Sequence, residues 1–145
     1  NNTLYFLASP TNATQKYLFK TKLDGSGKAE QVSPATQPGT HDYNISPDGK
    51  FAFHSFSNAY TKKVTEWITL PTHKTIDGQE PFAEKMKRAE VAKKVEFFKV
   101  KTADGVEMDA WMVRPNQFDP TKKYPVVFMV YTEPWGANVH DTYGV

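Results

Sequence analysis

The chain has 145 residues, of which 18 are basic and 16 acidic, so its formal net charge at pH 7 is +2. This near balance gives no reason to expect a nucleic acid or an anionic membrane as a partner. Because the chain contains no cysteine, disulfides and thiolate metal sites are excluded, while oxidising and reducing compartments both stay open. The longest apolar run, residues 125–131, is too short to cross a bilayer. Asn1 does not open a signal-peptide pattern, so we expect any leader to be cut away or to lie upstream.

The first half of the chain contains short runs of aromatic and β-branched residues, separated by Gly, Pro, Asn and Asp about every ten residues. In residues 46–49, Ser-Pro-Asp-Gly, Pro47 presets a turn and Gly49 supplies positive φ. This regular alternation of short strands and turns fits about one and a half blades of a β-propeller better than a small closed barrel. It predicts antiparallel strands at residues 3–8, 16–23, 41–45, 50–57 and 63–70.

Residues 77–94 have a different composition, rich in Glu, Lys, Ala and Met. The spacing of Phe82, Met86 and Ala89 places them on one face of a helix, which we predict within residues 80–93. Pro81 suits the first helical turn, and the acidic start and basic end complement the helix dipole. We interpret this segment as a linker helix with a solvated polar face, because the interleaved charges disfavour a basic docking surface.

A second β-rich part follows the helix. Residues 95–101 and 106–113 are predicted to pair as a hairpin around Asp104-Gly105. Residues 124–131 form a continuous apolar run, which is typical of a strand buried on both faces of an α/β sheet. Ligands of such sheets bind beyond the carboxyl ends of the strands, so residues 131–136 are the candidate functional loop.

Residues 116–134 read NQFDPTKKYPVVFMVYTEP and resemble the opening strand of the peptidase domain in the dipeptidyl peptidase IV family, a group of prolyl oligopeptidase-type serine peptidases. Members of that family place a β-propeller before an α/β-hydrolase domain, and the two are joined by a crossing segment and a hairpin. The resemblance implies a mainly β fold with one helix. Its predicted parts are partial propeller blades over residues 1–76, a linker helix over 77–94, and the start of the hydrolase domain, with its opening hairpin and first buried strand, over 95–145.

In that family the Tyr that ends the strand donates its hydroxyl to the oxyanion of the acyl-transfer step, and the resemblance implies this catalytic role for Tyr131. A rigid ring held by a sheet suits the task, because its O–H needs no reorganisation during the reaction. The alternative is an aromatic side chain that fills the core. Many relatives follow the Tyr with small residues, whereas this chain has Thr132 and Glu133. We expect Glu133 to point to solvent rather than to add charge beside a substrate.

The remaining catalytic parts of an α/β-hydrolase are not found in the chain. No Gly-x-Ser-x-Gly motif is present. Ser26 lies in a Gly-Ser-Gly sequence that is typical of a flexible turn, so we interpret it as a turn residue and not as a nucleophile. The resemblance places the Ser, Asp and His of the triad after Val145, and the acidic residues that hold a substrate N-terminus before Asn1. We therefore expect the chain by itself to be inactive.

The histidines show no short metal-ligand spacing, and the adjacency of His140 and Asp141 is no evidence of a catalytic dyad. The sequence therefore predicts no metal and no cofactor. The histidines considered are His41, His54, His73 and His140.

The resemblance implies a periplasmic or secreted serine exopeptidase that releases N-terminal di- or tripeptides after Pro or Ala. Its partner would be a peptide with a free N-terminus, and a homodimer is compatible with the family. The alternative is a non-catalytic, propeller-derived β module that binds a peptide or a glycan. A Gly-Trp-Ser-Tyr-Gly-Gly-like motif downstream of Val145 would distinguish the first hypothesis from the second.

Overall fold

A computed structural model of the chain describes residues 2–92, 94–130, 133 and 136–144. The chain begins with a three-stranded antiparallel sheet in which the strands pair in chain order. Its strands are β1 (Thr3–Ala8), β2 (Tyr17–Lys22) and the short β3 (Glu30–Gln31).

A four-stranded antiparallel meander follows, again paired in chain order. A parallel bridge between Lys16 and Thr40 connects it to the first sheet. The predicted turn between its first two strands is confirmed, since Gly49 has φ +68° and its N–H donates to the Ser46 carbonyl at 2.8 Å. Its strands are β4 (Thr40–Ile45), β5 (Phe51–Asn58), β6 (Thr61–Thr69) and β7 (Lys74–Thr75).

The core lies on the inner face of the meander, because alternate residues of each strand point to the same side. Two apolar clusters occupy this face. The first joins the meander to the first sheet, and its buried members are Leu18, Val32, Ala52, Ile68 and Leu70. The second joins the meander to the helix, and its buried members are Phe56, Val64, Phe82 and Ala89.

The predicted amphipathic helix is confirmed as α1 (Phe82–Ala89), with Phe82 and Ala89 buried and Met86 packed beside them. Pro81 stands one position before the helix, where its carbonyl accepts the N–H of Glu84 at 3.0 Å. The apolar face of α1 rests on the meander, while most of its polar side chains stay exposed. Among the described residues no helix combines the length and the apolar character that crossing a membrane requires.

The strands after the helix, β8 (Val95–Lys101) and β9 (Glu107–Val113), form the predicted hairpin. Gly105 in its turn has φ +90°, a conformation that glycine adopts without a Cβ penalty. The hydroxyl of Tyr60 donates to the Val95 carbonyl at 3.0 Å and so ties the start of the hairpin to the meander. Mostly β structure with a single described helix therefore confirms the predicted fold class.

One detail of the prediction is wrong. Residues 124–130 form no strand, and their side chains from Val126 onward are exposed, with Val127 at 89% and Phe128 at 84%. A buried strand needs neighbouring strands that take its backbone N–H and C=O groups and cover its side chains. No strand among the described residues pairs with this run. The division of the chain at residues 76 and 94 remains a prediction.

Candidate functional site

The loop predicted to be functional lies largely outside the described residues. Tyr131 and Thr132, which carry the oxyanion prediction and the departure from the family, are both outside them, as are Pro134 and Trp135. Glu133 is described and is exposed, in agreement with the sequence-based expectation. Its carbonyl accepts the N–H of Gly136 at 3.0 Å.

The approach to this loop is an ordered turn. The carboxylate of Asp119 accepts hydrogen bonds from the hydroxyl and the N–H of Thr121 at 2.7 and 3.0 Å, which lower its pKa. The hydroxyl of Tyr124 accepts the Asp119 N–H at 3.0 Å, and the Tyr124 ring stacks on Phe118 with centroids 5.3 Å apart. The segment before the apolar run is thus held in a turn by its own side chains.

The residues after the loop return to the first half of the chain through Asp141. Its carboxylate accepts hydrogen bonds from Gln15 Nε2 at 2.8 Å and from the Ala59 N–H at 2.9 Å. Its N–H donates to the Thr14 carbonyl at 2.7 Å. Neighbouring His140 donates from Nε2 to the Ala137 carbonyl at 2.6 Å. Asp141 is therefore a docking residue here, and these contacts give no support to a His140–Asp141 dyad.

A buried polar row crosses the inner face of the meander between the two apolar clusters. The strand register places Tyr43 beside His54 and His54 beside Glu66, so three neighbouring strands each contribute one side chain. The side chains of His54 and Glu66 are 0% and 3% exposed, and His54 Nδ1 lies 2.9 Å from Glu66 Oε1. Thr75 donates its hydroxyl to Glu66 Oε2 at 2.5 Å.

His41, which is fully buried, extends this row. Its Nε2 lies 2.8 Å from the Gln37 carbonyl, which can only accept, so Nε2 carries a proton. A neutral His41 then accepts at Nδ1 from His54 Nε2, 2.9 Å away. One remaining proton is shared between His54 Nδ1 and Glu66 Oε1, so the pair has no net charge. With this placement of protons, each hydrogen bond from the Gln37 carbonyl through His41 and His54 to Glu66 has one donor and one acceptor.

His73 forms a branch of the cluster from the turn between β6 and β7. Its Nε2 lies 2.8 Å from the Tyr43 hydroxyl, which is 2.9 Å from Ser33 Oγ. The His73 ring meets the His54 ring edge-on, with centroids 4.8 Å apart. The donor atoms of His54, Glu66 and His73 all lie within 4.8 Å of one another. The structure thus joins three of the four histidines into one buried cluster.

Burial sets the protonation of these groups. It lowers the pKa of His41 and of His73 to about 4, so both are neutral at pH 7. Burial alone would raise the pKa of Glu66, but hydrogen bonds from His54 and Thr75 outweigh it and hold that pKa below its ordinary value. Burial raises the pKa of Tyr43, which therefore stays a neutral phenol.

No model of a protein family matches the chain. The chain is 30% identical over 156 residues to "Probable dipeptidyl-aminopeptidase B" of Talaromyces marneffei, a match that covers 100% of this chain and 16% of that protein. It is 26% identical over 149 residues to the protein of the same name in Metarhizium robertsii, with the same coverage. The crystal structure of Porphyromonas gingivalis dipeptidyl peptidase 4 matches with a TM-score of 0.78 and 25% identity, over 99% of this chain and 20% of that one.

The predicted resemblance to dipeptidyl peptidase IV is confirmed. It extends along the whole chain, which spans 16% of the length of the first curated relatives it matches. The described part of the chain has two antiparallel sheets, then a helix and a hairpin, in the order that the sequence predicted.

Sequence reasoning on this dipeptidyl peptidase IV-like segment missed the buried cluster. Its histidines are separated by 13 and 19 residues, and such spacings give no metal-ligand signal. Strand pairing brings them together. One signal was present, because alternation along β5 places His54 on the same face as Ala52 and Phe56, where a polar residue requires a partner.

The chemistry open to the cluster follows from its burial. Nearly closed to solvent, its inner members cannot meet a peptide substrate. Its imidazoles and carboxylate can hold a proton or a cation between strands. The chain therefore has two separate candidates, the loop at residues 131–136 that the sequence predicts to be functional and this buried cluster.

Proposed function

We propose that the chain is the junction segment of a serine-type dipeptidyl peptidase, lying between a β-propeller and an α/β-hydrolase domain. The observation that carries the proposal is the match along the entire chain to a dipeptidyl-aminopeptidase B at 30% identity. The structural likeness to a dipeptidyl peptidase 4 over 99% of the chain supports it. The longer protein would release N-terminal di- or tripeptides after Pro or Ala, through an acyl-enzyme formed on a Ser outside this chain.

Within this reaction Tyr131 would be one donor of the oxyanion hole. If the run before it forms a strand in the longer protein, a phenol at the end of that strand can direct its O–H to the negative charge that develops when Ser attacks the peptide carbonyl. Hydrogen bonds hold the turn at Asp119 before this region and Asp141 after it, and the role of Tyr131 itself rests on the family resemblance.

The chain by itself would be inactive, because it contains no Gly-x-Ser-x-Gly motif. We further propose that the longer protein acts in the periplasm or outside the cell, on peptides with a free N-terminus. This location follows the family resemblance.

The test compares the 145-residue chain with the longer protein that contains it. We expect the longer protein to hydrolyse Gly-Pro and Ala-Pro chromogenic substrates, to lose activity with a serine-directed inhibitor, and to reject substrates with a blocked N-terminus. The 145-residue chain should give no turnover. A longer protein without a nucleophile motif after Val145, and without turnover, would contradict the proposal and favour a binding module.

A further inference from the structure

The buried cluster has the composition of a metal site. Two imidazoles and one carboxylate, from His54, His73 and Glu66, offer donor atoms within 4.8 Å of one another. They come from β5, from the turn after β6 and from β6, so the polypeptide fold fixes their positions independently. Two of the three are buried and the third is half-buried.

The atoms opposite the donors are already held by partners. His54 Nε2 contacts His41 Nδ1 at 2.9 Å, and Glu66 Oε2 accepts from Thr75 at 2.5 Å. His73 Nε2 contacts the Tyr43 hydroxyl at 2.8 Å. Metal-binding histidines and carboxylates in proteins are held in this way, by hydrogen bonds on the side away from the ion.

We propose that His54, Glu66 and His73 bind one divalent transition metal ion, with Zn²⁺ as the ion that these donors fit best. Nitrogen and carboxylate ligands in the ratio of two to one match a common zinc donor set, whereas Ca²⁺ and Mg²⁺ prefer oxygen alone. The ion replaces the proton that His54 Nδ1 and Glu66 Oε1 share, and so bonds both atoms at once.

The ion would enter from the turn between β6 and β7. Pro71 and Thr72 on this turn are exposed, and His73 beside them is half-buried, so this side of the cluster lies near solvent. His73 has φ +53°, and its side chain closes the cluster from this side. Once bound, the ion ties the short strand β7 and its turn to the centre of the meander. It acts as a structural ion, because binding only the folded chain stabilises it.

The test begins with the purified 145-residue chain after removal of metals with a chelator. We expect calorimetric titration to show one Zn²⁺ per chain, and the melting temperature to rise with Zn²⁺ but not with Mg²⁺ or Ca²⁺. Co²⁺ in place of Zn²⁺ should give the visible absorption of a low-symmetry, four-coordinate site, a readout that does not depend on stability.

The decisive variant is His73→Asn. Asn tolerates positive φ, so the turn is retained while the imidazole is lost. Loss of an outer partner of a metal ligand already costs about 10- to 100-fold in affinity, so loss of this ligand should weaken Zn²⁺ binding at least about 100-fold and abolish the Co²⁺ spectrum. His140→Asn, a loop histidine outside the cluster, is the matched control and should bind as the unmodified chain does.

Failure of the unmodified chain to bind one Zn²⁺ would overturn the proposal. Equal Zn²⁺ affinity in His73→Asn and in the unmodified chain would also overturn it, because the ion would then be bound elsewhere. If His73→Asn unfolds without metal, Glu66→Gln serves as the second ligand variant, and the Co²⁺ spectrum decides.

Discussion

The meander and the run at residues 124–130 are both rich in apolar side chains, yet they have opposite environments. In the meander Ile68 is 0% and Phe56 1% exposed, whereas in the run Val127 is 89% and Phe128 84% exposed. The meander's strands lie beside one another in sequence and pair through hairpins, but no described strand pairs with the run. Apolar composition alone therefore does not bury a strand, because burial depends on the partners that the chain provides.

The largest effect should come from emptying the core of the meander. Phe56→Ala removes a side chain that contacts Val64 and the helix residue Phe82, and we expect a loss of about 3–5 kcal/mol in the free energy of unfolding. Urea unfolding of the 145-residue chain measures it. Leu23→Ala, at a site that is 59% exposed, is the matched control and should cost well under about 1 kcal/mol. Similar losses in the two variants would mean that the meander is not the stable core.

The second-largest loss of unfolding free energy should come from a mutation in the buried polar row. Glu66→Gln removes the carboxylate beside His54 and leaves a buried imidazole without its counter-ion, which we expect to cost about 2–3 kcal/mol in unfolding free energy. Urea unfolding with a chelator present measures the effect without metal. Glu84→Gln on the exposed side of the helix should change it by no more than about 0.5 kcal/mol, and equal effects would contradict the buried pairing.

A smaller effect should come from the close approach of Gly39 to β5. A Cβ at Gly39 would lie 2.7 Å from the Ser57 carbonyl oxygen and 2.9 Å from the Phe56 ring. We expect Gly39→Ala to cost about 2 kcal/mol in unfolding free energy, part of it from its φ of +151°.

Gly27→Ala separates the two causes of that loss. Gly27 has a similar φ of +159°, but nothing lies within 4 Å of the position of its Cβ. The difference in melting temperature between the two variants therefore reports crowding alone. Equal melting temperatures would show that backbone conformation, rather than close packing, makes glycine necessary at position 39.

The smallest effect should be found in the exposed run. Phe128→Asp in the 145-residue chain should change the unfolding free energy by no more than about 0.5 kcal/mol and should improve solubility, since it adds a charge to an exposed apolar stretch. We propose that in the longer protein neighbouring strands of the hydrolase sheet pair with the run and bury it, so the same change should destabilise that fold by several kcal/mol. Equal effects in the two proteins would contradict that proposal.

The sequence predicted the fold where structure is decided locally. The Ser46–Gly49 turn, the helix face around Phe82 and the hairpin at Gly105 all have local signals, and all are confirmed. The cluster of His54 and His73 could not be predicted in this way, because strand register decides which residues meet across a sheet. The strand at residues 124–130 was predicted from apolarity, a property that does not specify pairing.

The central proposal is that the chain is part of a serine dipeptidyl peptidase and supplies Tyr131 to its oxyanion hole. Steady-state kinetics of Tyr131→Phe in the longer protein tests it most directly, because only the hydroxyl is removed. We predict that kcat for a Gly-Pro substrate falls on the order of 100- to 1,000-fold, equivalent to about 3 kcal/mol, with KM and melting temperature nearly unchanged. A stable Tyr131→Phe enzyme with unchanged kcat would contradict the account.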